Sequence, residues 1–217
     1  MIKAILFDLD GVLIETEKET FKFYQKILGQ DYGIFLKDED FKYKAGRKSK
    51  DFWNDILTPE QQEKIDVKKL TQNKREAFNT DPDKYVKAMP GGKKLLELLK
   101  GQGFKLALAS QNESRMIESM MRWLGIKEYF EVILSIDQIT NLKPDPEIYL
   151  LAAQKLGVTP AECVVIEDSK DGVGSAKNAG MKCIGINHPY TPPGALNAAD
   201  TTVDALSDIN PAVIHTL

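Results

Sequence analysis

Five short apolar runs, each followed by a polar or helical stretch, constrain this chain more than any other feature. They are Ile2–Phe7, Phe104–Ala109, Phe130–Leu134, Cys163–Ile166 and Cys183–Ile186, with Thr201–Val203 as a weaker edge run. None alternates apolar with polar residues as a strand wetted on one face would, so each reads as a strand covered on both faces. Amphipathic stretches follow or separate them at Gly92–Lys100, Glu113–Leu124, Pro146–Leu156 and Asp171–Ala179. Repeated strand-then-helix order predicts an α/β fold, a doubly wound parallel sheet. Asp145-Pro146 predicts a helix start with an acceptor at the N-cap and Pro at the first helical position. Thr159 to Glu162 has the capping-box spacing and predicts a short turn before a strand.

One segment departs from the alternation. From about Glu15 to Tyr85 no β run appears, and aromatic and aliphatic residues recur at helical spacing: Phe21, Tyr24, Ile27 and Leu28, then Phe52, Trp53, Ile56 and Leu57. We read residues 15–85 as an all-helical insertion, a small cap domain, and residues 1–14 and 86–217 as the α/β core. Trp53 and Trp123, at helical positions, are expected to pack rather than to form a ligand platform.

Composition narrows the function classes. The 217 residues carry a formal net charge of −3, which gives no electrostatic case for nucleic acid or an anionic membrane as partner. No apolar run is long enough to span a bilayer, and the first is too short for a signal core and is interrupted by Lys3. The chain is expected to work in the cytoplasm, as a monomer. Cys163 and Cys183 each sit in an apolar run and read as small core residues; His188 and His215 read as loop and tail residues.

Four polar clusters follow four of the runs: Asp8-Leu9-Asp10-Gly11, Ser110-Gln111-Asn112 and Glu167-Asp168-Ser169 directly, and Lys143-Pro144-Asp145 a few residues after Phe130–Leu134. In an open α/β sheet the carboxyl ends of the strands share one edge, where ligands bind. Asp8, Asp10, Ser110, Lys143, Glu167 and Asp168 should therefore gather at one rim. Two unit negative charges about 4 Å apart repel by about 4 kcal/mol at an effective dielectric near 20. A group of acids at one rim thus calls for a cation, and oxygen donors suit Mg²⁺. With Lys143 and a divalent ion the rim would attract a phosphate dianion, and a carboxylate held there can attack phosphorus.

These motifs, in this order and with a helical insertion after the first, resemble the haloacid dehalogenase superfamily, in its phosphatase and β-phosphoglucomutase-like branch. The carrying residues are Phe7-Asp8-Leu9-Asp10-Gly11-Val12-Leu13, Leu108-Ala109-Ser110, Lys143-Pro144-Asp145-Pro146-Glu147 and Glu167-Asp168-Ser169-Lys170-Asp171-Gly172. The resemblance implies a Rossmann-like core and a lid-like helical cap. It implies Asp8 as nucleophile and Asp10 as the acid and base serving the leaving and entering oxygens. Mg²⁺ would be held by Asp8, the Asp10 carbonyl and Asp168, with Glu167 as a further or water-mediated partner, while Ser110 and Lys143 bind the phosphoryl group. In the cap, Arg47 and Lys48 match a substrate loop in position and Lys74 matches a cap lysine. Thr20 stands where the mutases carry a histidine, and Glu15 replaces the usual hinge aspartate. The implied activity is Mg²⁺-dependent hydrolysis of a small phosphorylated metabolite such as a sugar phosphate. The alternatives are a phosphosugar mutase and a non-catalytic metabolite-binding protein on the same fold.

Overall fold

The computed structural model describes residues 1–43 and 49–217, with side chains for 1–41 and 51–217. Along the chain β1 (Ala4–Phe7) and β2 (Ile14–Glu15) lead into α1 (Glu17–Tyr32), α2 (Ser49–Ile56), α3 (Pro59–Lys64), α4 (Val67–Thr80) and α5 (Pro82–Tyr85). Then come β3 (Lys87–Ala88), α6 (Gly92–Gly101), β4 (Lys105–Ala109), α7 (Ser114–Leu124) and β5 (Val132–Leu134). The remainder is α8 (Glu147–Leu156), β6 (Cys163–Glu167), α9 (Lys170–Asn178), β7 (Lys182–Ile186), β8 (Thr201–Val203) and α10 (Pro211–His215).

The chain forms two compact units, Met1–Glu15 with Ala88–Leu217, and Thr16–Lys87. These divisions fall one and two residues later than the sequence boundaries. In the first unit six strands lie in the order β5-β4-β1-β6-β7-β8, and every neighbouring pair is parallel. Strand β1 pairs with β4 on one side and β6 on the other, with Phe7 opposite both Leu108 and Ile166. Chain order therefore reverses at β1, and the crevice beyond its carboxyl end is the position where such sheets bind ligands. All four residues of β1 are fully buried, as expected of a strand with helices on both faces. On one face Leu6, Ala107 and Val165 pack with Tyr149 and Ala152 of α8 and Val173 and Ala176 of α9.

The boundaries shift where local hydrogen bonds compete. Strand β1 begins at Ala4, because the Lys3 N–H donates to the Glu162 carbonyl (2.8 Å) and its ammonium pairs with the Glu162 carboxylate (2.5 Å). The Phe130–Leu134 run supplies only Val132–Leu134, since the Phe130 N–H closes a turn on the Lys127 carbonyl. The Cys163 strand runs one residue further than its apolar run, so Glu167 belongs to the sheet, opposite Gly185. At α8 Pro146 itself is the cap rather than the first helical residue. Asp145 still accepts from the Glu147 N–H (3.0 Å), and the Glu147 carboxylate accepts from the Thr140 and Asn141 N–H groups. The Thr159–Glu162 turn forms, with the Glu162 carboxylate accepting from the Thr159 N–H (2.9 Å).

Among the described residues the second unit contains helices and no strand except Lys87 at its end. Its core is aromatic: Phe21, Tyr24 and Leu28 fall on one stripe of α1 and meet Phe52, Trp53, Leu57, Ile65 and Leu70. Tyr24 lies 4.7 Å from Trp53 and stacks on Phe52. Such ring pairs add about 0.5–1.5 kcal/mol beyond their burial, which helps a small unit hold its own core. Trp53 is a packing residue, as its spacing predicted. No helix among the described residues is long and apolar enough to cross a membrane.

Candidate active site

The segment after β1 is a tight, buried turn. The Leu9 carbonyl accepts from the N–H groups of Val12, Leu13 and Ile14, and the Gly11 N–H donates to Ile14 (2.7 Å). Leu9, Val12, Leu13 and Ile14 are all buried, and this anchors the polar residues between them. Gly11 has a left-handed φ of 72°, and a Cβ there would lie 1.9 Å from the Asp168 Oδ2. Only glycine lets the turn after β1 and the turn after β6 approach this closely.

Asp8, Ser110, Lys143 and Glu167, from four different strand ends or loops, are between 1% and 8% exposed and converge. The Lys143 ammonium donates to Asp8 Oδ1 at 2.5 Å, to Glu167 Oε1 at 2.7 Å and to the Ala109 carbonyl at 3.2 Å. It also lies 4.8 Å above the Tyr149 ring, whose hydroxyl donates to Glu167 Oε1 at 2.9 Å. The other Glu167 oxygen accepts from the N–H groups of Asp168 (3.0 Å) and Ser169 (3.2 Å) and from the Ser169 hydroxyl (3.0 Å).

Charge follows from that packing. Burial pushes the Asp8 carboxyl up to about 7, with the Lys143 charge working against it and Glu167 and Asp10 adding to it. Burial works to lower Lys143, but the two carboxylates outweigh it and hold the ammonium above its usual range. Glu167 goes the other way: despite burial, Lys143 and the hydrogen bonds hold it below the usual carboxylate range. The arrangement is thus a firmly charged Lys–Glu pair beside an aspartate that gains from any further positive charge.

Asp10 is engaged by a residue the sequence reading passed over. Asn112 Nδ2 donates to Asp10 Oδ2 and to the Ser110 hydroxyl (3.1 Å), and the Asn112 N–H also donates to that hydroxyl (3.2 Å). Ser110 accepts twice, which directs its own O–H toward other acceptors. Tyr149, His188 and Tyr190 were likewise not predicted. His188 Nε2 sits 2.8 Å from the Gly11 carbonyl and 3.8 Å from Asp168 Oδ2. Its position just past the end of β7 was the available signal, by the same rim rule that found the others. For Tyr149 the signal was a hydroxyl in an otherwise apolar helix face.

Among the described residues no three His, Cys, Asp or Glu side chains stand ready as a metal site. Glu167, expected as a further or water-mediated partner, has both oxygens on protein donors and holds Lys143. Asp8, the Asp10 carbonyl and Asp168 remain, and one or two carboxylates plus a carbonyl fit Mg²⁺, which keeps waters and takes substrate phosphate oxygens.

A family model for haloacid dehalogenase-like hydrolases matches residues 5–186 of this chain, which include Asp8, Asp10, Ser110, Lys143, Glu167 and Asp168. The chain belongs to that family. A phosphorylated carbohydrates phosphatase of Thermotoga maritima is 34% identical over 86% of each chain. A β-phosphoglucomutase of Bacillus subtilis is 30% identical over 99% of this chain and 94% of its own. The crystal structure of CbbY from Rhodobacter sphaeroides in complex with phosphate superimposes with a TM-score of 0.75, at 29% identity over 96% of both chains. This haloacid dehalogenase-like hydrolase is accordingly an enzyme of phosphoryl transfer, on the Rossmann-like core and helical cap of its family.

The cap residues of the sequence reading fare differently. Arg47 and Lys48 lie outside the described residues. Lys74 is on α4, half-buried, with its ammonium 5.0 Å from the Phe78 ring centroid. Thr20 is buried in α1, its N–H bonded to the Thr16 carbonyl.

The packing beneath Glu167 makes one prediction. A Cβ on Gly172 would fall 1.8–2.1 Å from the Glu167 carboxyl atoms. Gly172→Ala must therefore displace a carboxylate that accepts five hydrogen bonds. Urea denaturation should show a loss of about 1–3 kcal/mol, accompanied by loss of activity.

Proposed function

We propose that this protein is a Mg²⁺-dependent phosphomonoester hydrolase acting on a small phosphorylated metabolite, of the sugar phosphate class, through an aspartyl phosphate on Asp8. The observation that carries the reading is the Lys143 ammonium bonded to Asp8 at the end of β1, beside Ser110 and Asp10. An Asp8 oxygen attacks phosphorus, the ester P–O bond breaks, and Asp10 gives its proton to the leaving oxygen. Water then attacks the same phosphorus and passes a proton back to Asp10, the acyl–phosphate bond breaks, and Asp8 and inorganic phosphate are released. Lys143 and Ser110 hold the phosphoryl oxygens while charge moves between them, so catalysis is largely positioning and electrostatics. Mg²⁺, when bound by Asp8, the Asp10 carbonyl and Asp168, supplies the positive charge that keeps Asp8 ionised against its burial. We assign substrate selection to the helical unit, with Lys74, Arg47 and Lys48 as its basic contributors.

A second reading has support in the 30% identity with a β-phosphoglucomutase. In it a sugar hydroxyl, not water, receives the phosphoryl group. Thr20, in place of the mutase histidine, favours hydrolysis. The test supplies β-glucose 1-phosphate, Mg²⁺ and a trace of the 1,6-bisphosphate, and measures inorganic phosphate and glucose 6-phosphate in one tube. Phosphate in excess is the expected result, and a panel of other sugar phosphates then finds the preferred one. Glucose 6-phosphate in excess makes the protein a mutase. Binding without turnover across the panel would make it a metabolite-binding protein.

A further inference from the structure

The loop after β7 reaches back to the turn after β1, and nothing in the mechanism above uses it. His188 Nε2 faces the Gly11 carbonyl at 2.8 Å; a carbonyl only accepts, so this nitrogen carries the proton and donates. The Tyr190 ring stacks on it at 5.1 Å with an interplanar angle of 11°, and the Tyr190 hydroxyl donates to the Glu15 carboxylate. The loop is itself braced. The Asn187 N–H donates to the Val203 carbonyl (2.8 Å), the His188 N–H to the Thr191 hydroxyl (2.8 Å) and the Thr191 N–H to the His188 carbonyl (2.9 Å). Two side chains from one rigid loop thus fasten both ends of the segment 11–15, the first of them at the glycine against which Asp168 packs.

We propose that His188 is a positioning residue for phosphoryl transfer: its Nε2–H fixes the Gly11 peptide, and with it the turn that aims Asp8 and Asp10 at the phosphorus. The role rests on the phosphomonoester reading above. It requires a donor at one place in space, not a charge or a ring. The amide nitrogen of Gln lies the same number of bonds from Cβ as His Nε2, whereas that of Asn stops one bond short. His188→Gln should therefore restore what His188→Asn loses.

The test compares the wild type, His188→Asn and His188→Gln with p-nitrophenyl phosphate and Mg²⁺. It also records the ¹H–¹⁵N shift of Val12, the amide of the peptide whose carbonyl His188 holds. His188→Asn should lower kcat by about 10–100-fold, the range seen when an outer hydrogen-bond partner is lost, with KM changed less than about threefold. The Val12 amide should move in His188→Asn, and His188→Gln should bring both readouts back toward wild type at an unchanged melting temperature. Equal kcat in His188→Asn and wild type, or equal losses in both variants, would overturn the positioning role. An unmoved Val12 amide would overturn the contact itself. A wild type without turnover on any phosphomonoester would instead overturn the functional reading, and the Val12 shifts would still report on the contact.

Discussion

Asp8→Asn should abolish phosphomonoester turnover, by about 10⁴-fold or more, the scale on which removing a nucleophile acts. An amide oxygen is too weak a nucleophile to form an acyl phosphate, whatever else remains in place. The fold should survive. In the wild type one ammonium is shared by two buried carboxylates, and burial already drives Asp8 toward its neutral form, up to about 7. In the variant Lys143 keeps Glu167 and the Ala109 carbonyl, so the buried charges balance one to one. The expected result is an unchanged or slightly raised midpoint in urea together with loss of activity. Substrate binding, measured by calorimetry, should persist.

Lys143→Met should do the opposite to stability. Met has nearly the length of the Lys stem and fills its place over Tyr149, but it leaves Asp8 and Glu167 buried without a cation. Removing one partner of a buried ion pair costs about 3–5 kcal/mol. Protonation of Asp8 relieves part of that cost, which places the loss nearer the lower end. Activity should fall by at least about 10²–10³-fold, because the charge proposed to receive the phosphoryl oxygens is gone and Asp8 is neutral. Adding Glu167→Gln to Lys143→Met removes the other stranded charge. The double variant should therefore be more stable than the single one, which distinguishes an electrostatic loss from a packing defect. Additive losses in urea would argue against the shared-charge description.

The sheet and the gathering of the rim residues were legible in the sequence because strands buried on both faces leave uninterrupted apolar runs. Parallel topology then dictates that residues just past those runs share an edge. Asp8, Ser110 and Glu167 stand at one edge for that reason, and Lys143 reaches it from the loop between β5 and α8. What escaped were residues whose roles depend on side-chain reach rather than on position along a strand. Asn112 stands in a polar cluster, but nothing local tells whether its amide turns to Ser110, Asp10 or solvent. Tyr149 has the periodicity of a core residue, and its hydroxyl matters only because Glu167 ends β6 opposite it. Glu167 itself looks like a metal ligand from its neighbours. The saturation of its oxygens by Lys143, Tyr149 and the turn after β6 is a fact of three dimensions. The starts of β1, β5 and α8 moved for a related reason: backbone groups of Lys3, Phe130 and Glu147 found partners that the one-dimensional pattern does not encode.

The proposed mechanism carries phosphorus on Asp8. In a single turnover with the enzyme in excess over a hydrolysed sugar phosphate, acid quenching followed by borohydride reduction converts an aspartyl phosphate to homoserine, which mass spectrometry locates in the peptide. Homoserine is expected at position 8, rising and falling ahead of phosphate release and absent from Asp8→Asn. Phosphate released at the wild-type rate with residue 8 unmodified at every time point would mean that water attacks the substrate directly, and the nucleophilic role of Asp8 would be wrong.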